Sequence, residues 1–459
     1  MRYHLFFKQL FFLFSCLSLL LGACIPVQGT VESTANPFPA PSLPLTELSV
    51  PTAVLPTGSG LVVVFIKDGN IQLWDESSGQ TQTIVNAGDV IAVKMSDDGQ
   101  VIAFLRRSAV QVTETEWREQ SALWAVDLSG ANPRELVSAE SLRQRLNAAE
   151  RDSANIPQME WIPGTHKLLF SGWTYFVMAE GESHAVPQGL YQIDVDTLTD
   201  TTLIQAGNNL RFMPSPDGSQ IALLSLNGLG FINTDGSNLR ADVFPYAQIG
   251  STLPLFPTGV WTQDSTAFLI TGSLEADPTF NINFTIWRVP VDGSSAAALG
   301  TVAKSDPGSV TFSPDGGRLA FVQSLDGDPL GNAGWFITPL AGQVSPLAIP
   351  HEYDFTSRNA SLHWSPAGDP FTKNLRKLCP EATQDTDECD TRISFFGTIS
   401  AIRWIDGNKV LFLTSEPSVL FLATMDFTGN MDATTIPIAA WPLNEWVSLN
   451  SFTTAMAGR

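Results

Sequence analysis

Thr311–Val322 reads TFSPDGGRLAFV. Phe312 ends a short strand, Ser313-Pro314-Asp315-Gly316 forms a turn, and Leu319-Ala320-Phe321 opens a second strand. Proline presets φ and glycine accepts positive φ, so the spacing predicts a β-hairpin rather than a catalytic loop. Echoes follow at VKMSDDGQVIAFL from Val93, MEWIPGTHKLLFSG from Met159, RFMPSPDGSQIALLS from Arg211, GVWTQDSTAFLITG from Gly259 and AIRWIDGNKVLFLTSE from Ala401.

The stronger units continue into a third strand ending near an aspartate, a glycine-containing turn and a fourth strand, as in GLGFINTDGSNLRADV from Gly228. A four-stranded unit that is apolar on both faces cannot bury both alone, so such units stack in a ring. The first unit, from Leu61, shows only LVVVFI, NIQLWD and QTQTIV. The chain after the last unit, WPLNEWVSLNSF, offers Trp446–Phe452 as the missing strand, which would close the ring and remove an exposed edge. LHWSPAGD from Leu362 begins a degenerate unit whose next strand is replaced by FTKNLRKL. The expected fold is therefore all-β: one β-propeller of four-stranded antiparallel blades, eight in number, or seven if the degenerate unit is an insertion.

The pattern at residues 95–136, 212–240 and 311–322, SPDG followed by IAF, LW, D, G, R and L, resembles the TolB-type (WD40-like) propeller repeat. This repeat also occurs in the propellers of prolyl oligopeptidase-like peptidases. The resemblance spans most of residues 61–438. It implies the fold and leaves function open, because its members include scaffolds, peptidase domains and surface proteins.

The N-terminus reads as an export signal. Arg2 and Lys8 precede a nearly continuous apolar run from Leu10 to Leu21, too short for a membrane span. Leu21-Gly22-Ala23-Cys24 resembles the bacterial lipobox, which implies a signal peptide of residues 1–23 and a lipidated, palmitate-bearing Cys24. Residues 24–59 are a proline-rich tether with a reach on the order of 100 Å, and residues 60–459 form the propeller domain. Ile25 stands where an aspartate commonly signals inner-membrane retention, so the outer membrane is the expected site in a two-membrane bacterium and the outer leaflet in a one-membrane host. Cys379 and Cys389 are the remaining pair in an oxidising compartment and are expected to bond.

Loss of residues 1–23 removes Arg2 and Lys8 and no acid, so the formal charge moves from −21 to −23. Such a field repels nucleic acid and favours basic proteins or cations as partners; solubility alone also accounts for it.

The sequence carries no complete catalytic motif of the hydrolase or zinc-peptidase type. There is no G-x-S-x-G elbow, and His351-Glu352-Tyr353-Asp354-Phe355 lacks the second histidine of H-E-x-x-H. His351, Glu352, Asp354 and His363 could meet at a channel mouth, and Asp194, Asp196 and Asp200 faintly suggest calcium, but polar side chains facing water explain the first group and turn chemistry the second. No metal or cofactor is expected. The tryptophans Trp74, Trp124, Trp161, Trp261, Trp287, Trp335, Trp364 and Trp404 recur at matching strand positions, which favours packing between blades over a carbohydrate platform.

Function is then sought where the repeat is broken: Ser138–Arg151, Phe176–Gln188 and Phe371–Thr391. The first is expected to be helical, with Leu142, Leu146 and Ala149 on one face, and it gathers Arg143, Arg145 and Arg151 as a candidate partner contact. The reading is a lipid-anchored envelope propeller acting as a non-catalytic binding or scaffold protein. The alternatives are a hydrolase or lyase at the channel mouth, or an outer-membrane assembly factor.

Overall fold

In the computed structural model the described residues are 60–114, 116–177, 183–205, 211–225, 228–246, 257–272, 282–305, 311–324, 333–339, 347–348, 361–365, 368, 370–374, 377–380, 398–405, 408–415, 418–426, 432–441 and 452–456. The chain divides into Met1–Pro41, outside the described residues, and Ser42–Arg459, which holds every element below.

Each repeat forms an antiparallel meander. Blade 1 contains β1 (Leu61–Lys67), β2 (Asn70–Asp75) and β3 (Gln80–Val85). Blade 2 contains β4 (Val90–Met95), β5 (Val101–Gln111), β6 (Trp117–Asp127) and β7 (Arg134–Val137), followed by helix α1 (Ala139–Arg145). Blade 3 contains β8 (Ser153–Trp161), β9 (Lys167–Val177), β10 (Ser183–Asp194) and β11 (Thr199–Ile204). Blade 4 runs from β12 (Arg211–Pro214) through β13 (Gln220–Leu224) and β14 (Gly228–Asn233) to β15 (Arg240–Pro245). Blade 5 has β16 (Gly259–Trp261), β17 (Ala267–Gly272), β18 (Ile282–Pro290) and β19 (Ala297–Ser305). Blade 6 has β20 (Thr311–Phe312), β21 (Arg318–Ser324), β22 (Ala333–Pro339) and β23 (Leu347–Ala348). Blade 7 shows three strands among the described residues, β24 (Ser361–Trp364), β25 (Pro370–Asn374) and β26 (Lys377–Pro380). Blade 8 has β27 (Thr398–Trp404), β28 (Lys409–Ser415), β29 (Ser418–Asp426) and β30 (Asp432–Trp441), and the last strand is β31 (Phe452–Met456). The protein is a β-propeller, and these are eight blade units.

The burial of β1 shows why the blades must stack. Leu61, Val63 and Phe65 pack with Leu411, Leu413, Leu420 and Leu422 of blade 8. Val62, Val64 and Ile66, on the opposite face of the pleat, pack with Val93, Ile102 and Phe104 of blade 2. Similar apolar layers join blades 2 and 3, 3 and 4, 4 and 5, and 5 and 6. Arg318 of blade 6 crosses to blade 7, its guanidinium over the Trp364 ring at 5.2 Å.

β31 pairs antiparallel with β1, from Leu61 opposite Met456 to Phe65 opposite Phe452. Closure by a C-terminal strand is as expected, but the donor is displaced from Trp446–Phe452 to Phe452–Met456. The shift seats the Phe452 ring in the layer between blades 8 and 1, where it is fully buried. Closure is reinforced by Lys409 Nζ on Glu76 Oε1 at 2.6 Å and by Trp441 Nε1 donating to Ile66 O at 2.9 Å. In blade 7, FTKNLRKL does not displace the second strand; it forms most of β25 and the start of β26, paired from Phe371 opposite Pro380 to Asn374 opposite Lys377.

The repeated hairpin carries more chemistry than proline and glycine. Ser313 Oγ donates to Asp315 Oδ1 at 2.5 Å and accepts the Arg318 N–H at 2.8 Å, so one hydroxyl staples both sides of the turn. Asp315 also accepts the Gly317 N–H at 2.9 Å. The same staple is built by Ser96 with Asp98, Ser215 with Asp217 and Thr262 with Asp264, at 2.6, 2.6 and 2.7 Å. The donated hydrogen bonds, first that of the Ser313 hydroxyl, hold the Asp315 carboxyl below its ordinary range; Thr262 and Thr266 take Asp264 down to about 2. Gly316 sits at φ 66°, and in blade 5 Ser265 takes the equivalent left-handed conformation at φ 58° without a glycine.

Candidate partner-binding site

In blades 2 and 3 the strands outgrow the repeat. β5 and β6 remain paired from Val101 opposite Asp127 out to Gln111 opposite Trp117. β9 and β10 stay paired out to Val177 opposite Ser183. The two extensions fuse, because β6 meets β8 in parallel at Gln120 and Ala154. Glu119 N–H donates to Ser153 Oγ at 3.0 Å, and Ser121 Oγ donates to Asn155 Oδ1 at 2.9 Å. One sheet, β5-β6-β8-β9-β10, therefore crowns both blades.

Helix α1 closes one face of this crown. Ser138 caps it by accepting the Ser141 N–H at 3.1 Å, and Leu142 and Leu146 are buried in the layer between blades 2 and 3, together with Ala154. Leu146 lies so close over Gly172 that a Cβ there would stand 2.6 Å from Leu146 Cδ2, so a larger residue would make the Leu146 side chain shift in its buried seat. The helix is shorter than the Ser138–Arg151 expectation. Asn147 turns left-handed at φ 49° and stops it. The following loop wraps the Arg143 guanidinium, which donates to the carbonyls of Ala149 at 2.6 Å and of Asp152. Ala149 consequently points outward, and Ala148 is the residue that packs inward.

The three arginines do not form one free cationic spot. Arg143 is buried, and that burial, followed by the charge of Arg118, pulls its pKa down. Arg145 grips both carboxylate oxygens of Asp200, with Nη1 to Oδ1 at 3.0 Å, and lies over the Tyr191 ring at 5.6 Å. Its bond to Asp200 is the main reason its pKa rises. Arg151 alone is exposed.

The other face of the crown is open. Ala154 and Thr174 face the helix side and are buried, so pleat alternation places Glu119, Ser153 and Tyr175 on the opposite side, with Trp117 two residues before Glu119. Trp117 is 49% exposed and Tyr175 36%. Arg107 and Glu119 on the same face make a solvent-exposed ion pair at 3.8 Å. The Trp173 indole nitrogen, two residues from Tyr175, is buried with no hydrogen-bond partner among the described residues. Trp117 and Tyr175 stand on the parts of β6 and β9 that run beyond the blade repeat. Their one sequence signal is an aromatic side chain on a strand longer than the repeat needs.

A second set of polar side chains stands just before the hairpin turns. Lys94, Glu160 and Arg403 each stand two residues before the first residue of their blade's hairpin turn. Lys94 Nζ bonds Glu160 Oε2. Arg403 Nη1 donates to Phe452 O at 2.9 Å, and its guanidinium lies over the Phe452 ring at 5.2 Å. Burial lowers the Arg403 pKa against the charge of Glu160. That charge reaches Arg403 although blades 1 and 2 separate their blades, so both face the central channel. Trp161 Nε1 donates to Lys94 O at 3.2 Å and Trp261 Nε1 to Met213 O at 2.9 Å, each satisfying a neighbouring blade's inner edge. These residues bind the ring to itself.

Among the other predicted positions, Asp194 accepts the N–H groups of Asp196 and Thr197, Asp196 bonds His166, and Asp200 bonds Arg145. No three metal-ligating side chains converge among the described residues. Cys379 lies on β26 and His363 on β24; Cys24, Cys389, Glu352, Asp354 and His351 lie outside the described residues. No helix among the described residues is long and apolar enough to cross a membrane.

No family model and no curated protein matches the chain. Similar solved structures include TolB from Acinetobacter baumannii, at 18% identity over 82% of this chain and 80% of that one, with a TM-score of 0.34. An oligogalacturonate lyase in complex with manganese is 14% identical over 78% of this chain and 83% of that one, with a TM-score of 0.43. The β-propeller domain of the Trilobed protease from Pyrococcus furiosus is 11% identical over 78% of this chain and 99% of that one, with a TM-score of 0.42. At such low likeness they say nothing of what this chain binds or does.

Proposed function

We propose that this chain is a cell-envelope protein, anchored through lipid on Cys24, whose propeller binds another envelope protein without doing chemistry on it. The crown over blades 2 and 3 is the contact. The observation that carries this reading is the open crown face: Trp117 and Tyr175 stand exposed on a rigid sheet where the repeat needs no sheet at all. Large amphipathic aromatics on a preorganised surface lose little entropy when a partner covers them. Among the described residues the polar side chains of the hairpin turns and the channel named above are engaged within the ring. The solvent-exposed Arg107–Glu119 pair on the same face can serve as a polar rim, and the strongly acidic remainder favours a basic partner.

Affinity recovery from crosslinked envelopes tests this. A Trp117→Ala/Tyr175→Ala double variant should fold and localise normally and lose at least tenfold of the partner recovered by the native protein, in keeping with about 2 kcal/mol or more for hot-spot aromatics. Undiminished recovery would place the contact elsewhere. A Cys24→Ser variant that still fractionates with membranes would separately remove the lipid anchor from the reading.

A further inference from the structure

His166 lies in the β8–β9 turn of blade 3, at the rim opposite the crown, between two carboxylates. Its Nδ1 is 2.8 Å from Asp196 Oδ2, in the β10–β11 turn of the same blade, and its Nε2 is 2.9 Å from Asp98 Oδ2, in the hairpin turn of blade 2. A neutral imidazole has one N–H and one lone pair, so it can satisfy only one of these contacts and sets the lone pair against the other carboxylate. Both contacts are favourable only when both nitrogens carry protons. Because the carboxylates occupy opposite sides of the ring, the three groups cannot converge on a metal ion.

We propose that His166 is a protonation-dependent clamp between blades 2 and 3, closed as imidazolium and weakened when the ring loses a proton. The charged neighbours on every packed element agree with a cation at this point. From blade 2, Asp98 is anchored by the Ser96 hydroxyl at 2.6 Å and the Gln100 N–H at 3.0 Å, and Asp97 accepts the Gly164 N–H of the His166 turn at 3.2 Å. At the start of β7, Arg134 stands 4.0 Å from Asp196 but is held by Asp127 at 2.9 Å and by Val195 O at 3.0 Å. On its own blade, His166 has Lys167 next in sequence, Asp194 across the β10–β11 turn and the Trp161 ring at 6.5 Å. Burial by itself would lower the His166 pKa; the bonds to Asp196 and Asp98 outweigh it and leave the pKa raised above 6.5.

The direction of the pH dependence follows. The clamp contributes fully below the unfolded titration of histidine, at about pH 6.5, and its contribution is lost as pH rises through the higher titration of the folded protein. Each pH unit between the two titrations changes the ratio of closed to open junction by about tenfold.

The test uses the full folded protein. The His166 ring proton resonances are followed by NMR from pH 5 to 9, and amide hydrogen exchange of Gly164, which bonds Asp97 across the junction, and of Gln100, which bonds Asp98, is measured across the same range after correction for intrinsic exchange. His166 should titrate above 6.5, and junction protection should fall as it does so. His166→Gln should abolish that fall, and Asp196→Asn, at a side chain 58% exposed and so safe for folding, should lower the His166 titration. Titration at or below 6.5, or an unchanged pH dependence in His166→Gln or Asp196→Asn, would overturn the clamp.

Discussion

A chain ending at Ser451 is expected to lose cooperative folding and to aggregate. The removed β31 supplies five register pairs to β1, and without it the β1 edge and the blade 8 layer lie open. Phe452 is fully buried among Phe65, Trp441 and the leucines of β28 and β29. The milder Phe452→Ala change should therefore cost about 3–5 kcal/mol by the usual price of an aromatic cavity. Denaturant unfolding of Phe452→Ala and size-exclusion chromatography of the truncated chain check the two outcomes. A monomeric, fully folded truncated chain would mean that the ring does not depend on this strand.

The second large effect is expected at Asp89. Arg106 is 4% exposed and takes both oxygens of Asp89, Nε to Oδ1 and Nη2 to Oδ2, each at 2.8 Å, while its guanidinium lies over Trp124 at 5.3 Å. Asp89→Ala leaves that buried cation without its counter-ion, which costs about 3–5 kcal/mol in comparable pairs. Arg106→Met should cost less, because the Asp89 side chain is 27% exposed and water can reach it. The Asp89→Ala/Arg106→Met double variant should recover most of the loss. Urea midpoints of the four proteins give the comparison, and strict additivity of the two single changes would show that the pair is not coupled.

The fold was legible because its signals are local. TFSPDGGRLAFV contains its own turn, its own glycine and two strands of period two, so the hairpin needs no distant partner to be recognised. The Ser-to-Asp staple was also present in the letters, but turn propensity already explained those residues and concealed the hydrogen bonds. The donor strand lies later than the sequence predicts because Trp446–Phe452 and Phe452–Met456 both carry strand-forming residues, and register is decided by the Phe452 ring fitting the layer beside Phe65. Helix α1 is shorter than the sequence predicts because SAESLRQRLNAAER keeps good helix formers past Asn147; the pull on Ala149 and Asp152 comes from a buried Arg143 that reads as a surface cation. The crown was least legible. Its existence depends on Gln120 of one blade meeting Ala154 of the next, a parallel contact with no local signature, and without it Trp117 and Tyr175 are merely two aromatics among many.

The binding role of the crown is tested most directly by a photo-crosslinking amino acid installed singly at Trp117, at Tyr175 and, as control, at Leu239, which is 52% exposed in the β14–β15 turn at the opposite rim. Irradiation of intact cells followed by mass spectrometry should show a discrete adduct with the same envelope protein from positions 117 and 175 and none from 239. Adducts from position 239 alone, or no adduct from the crown while the native protein still recovers its partner, would contradict the account.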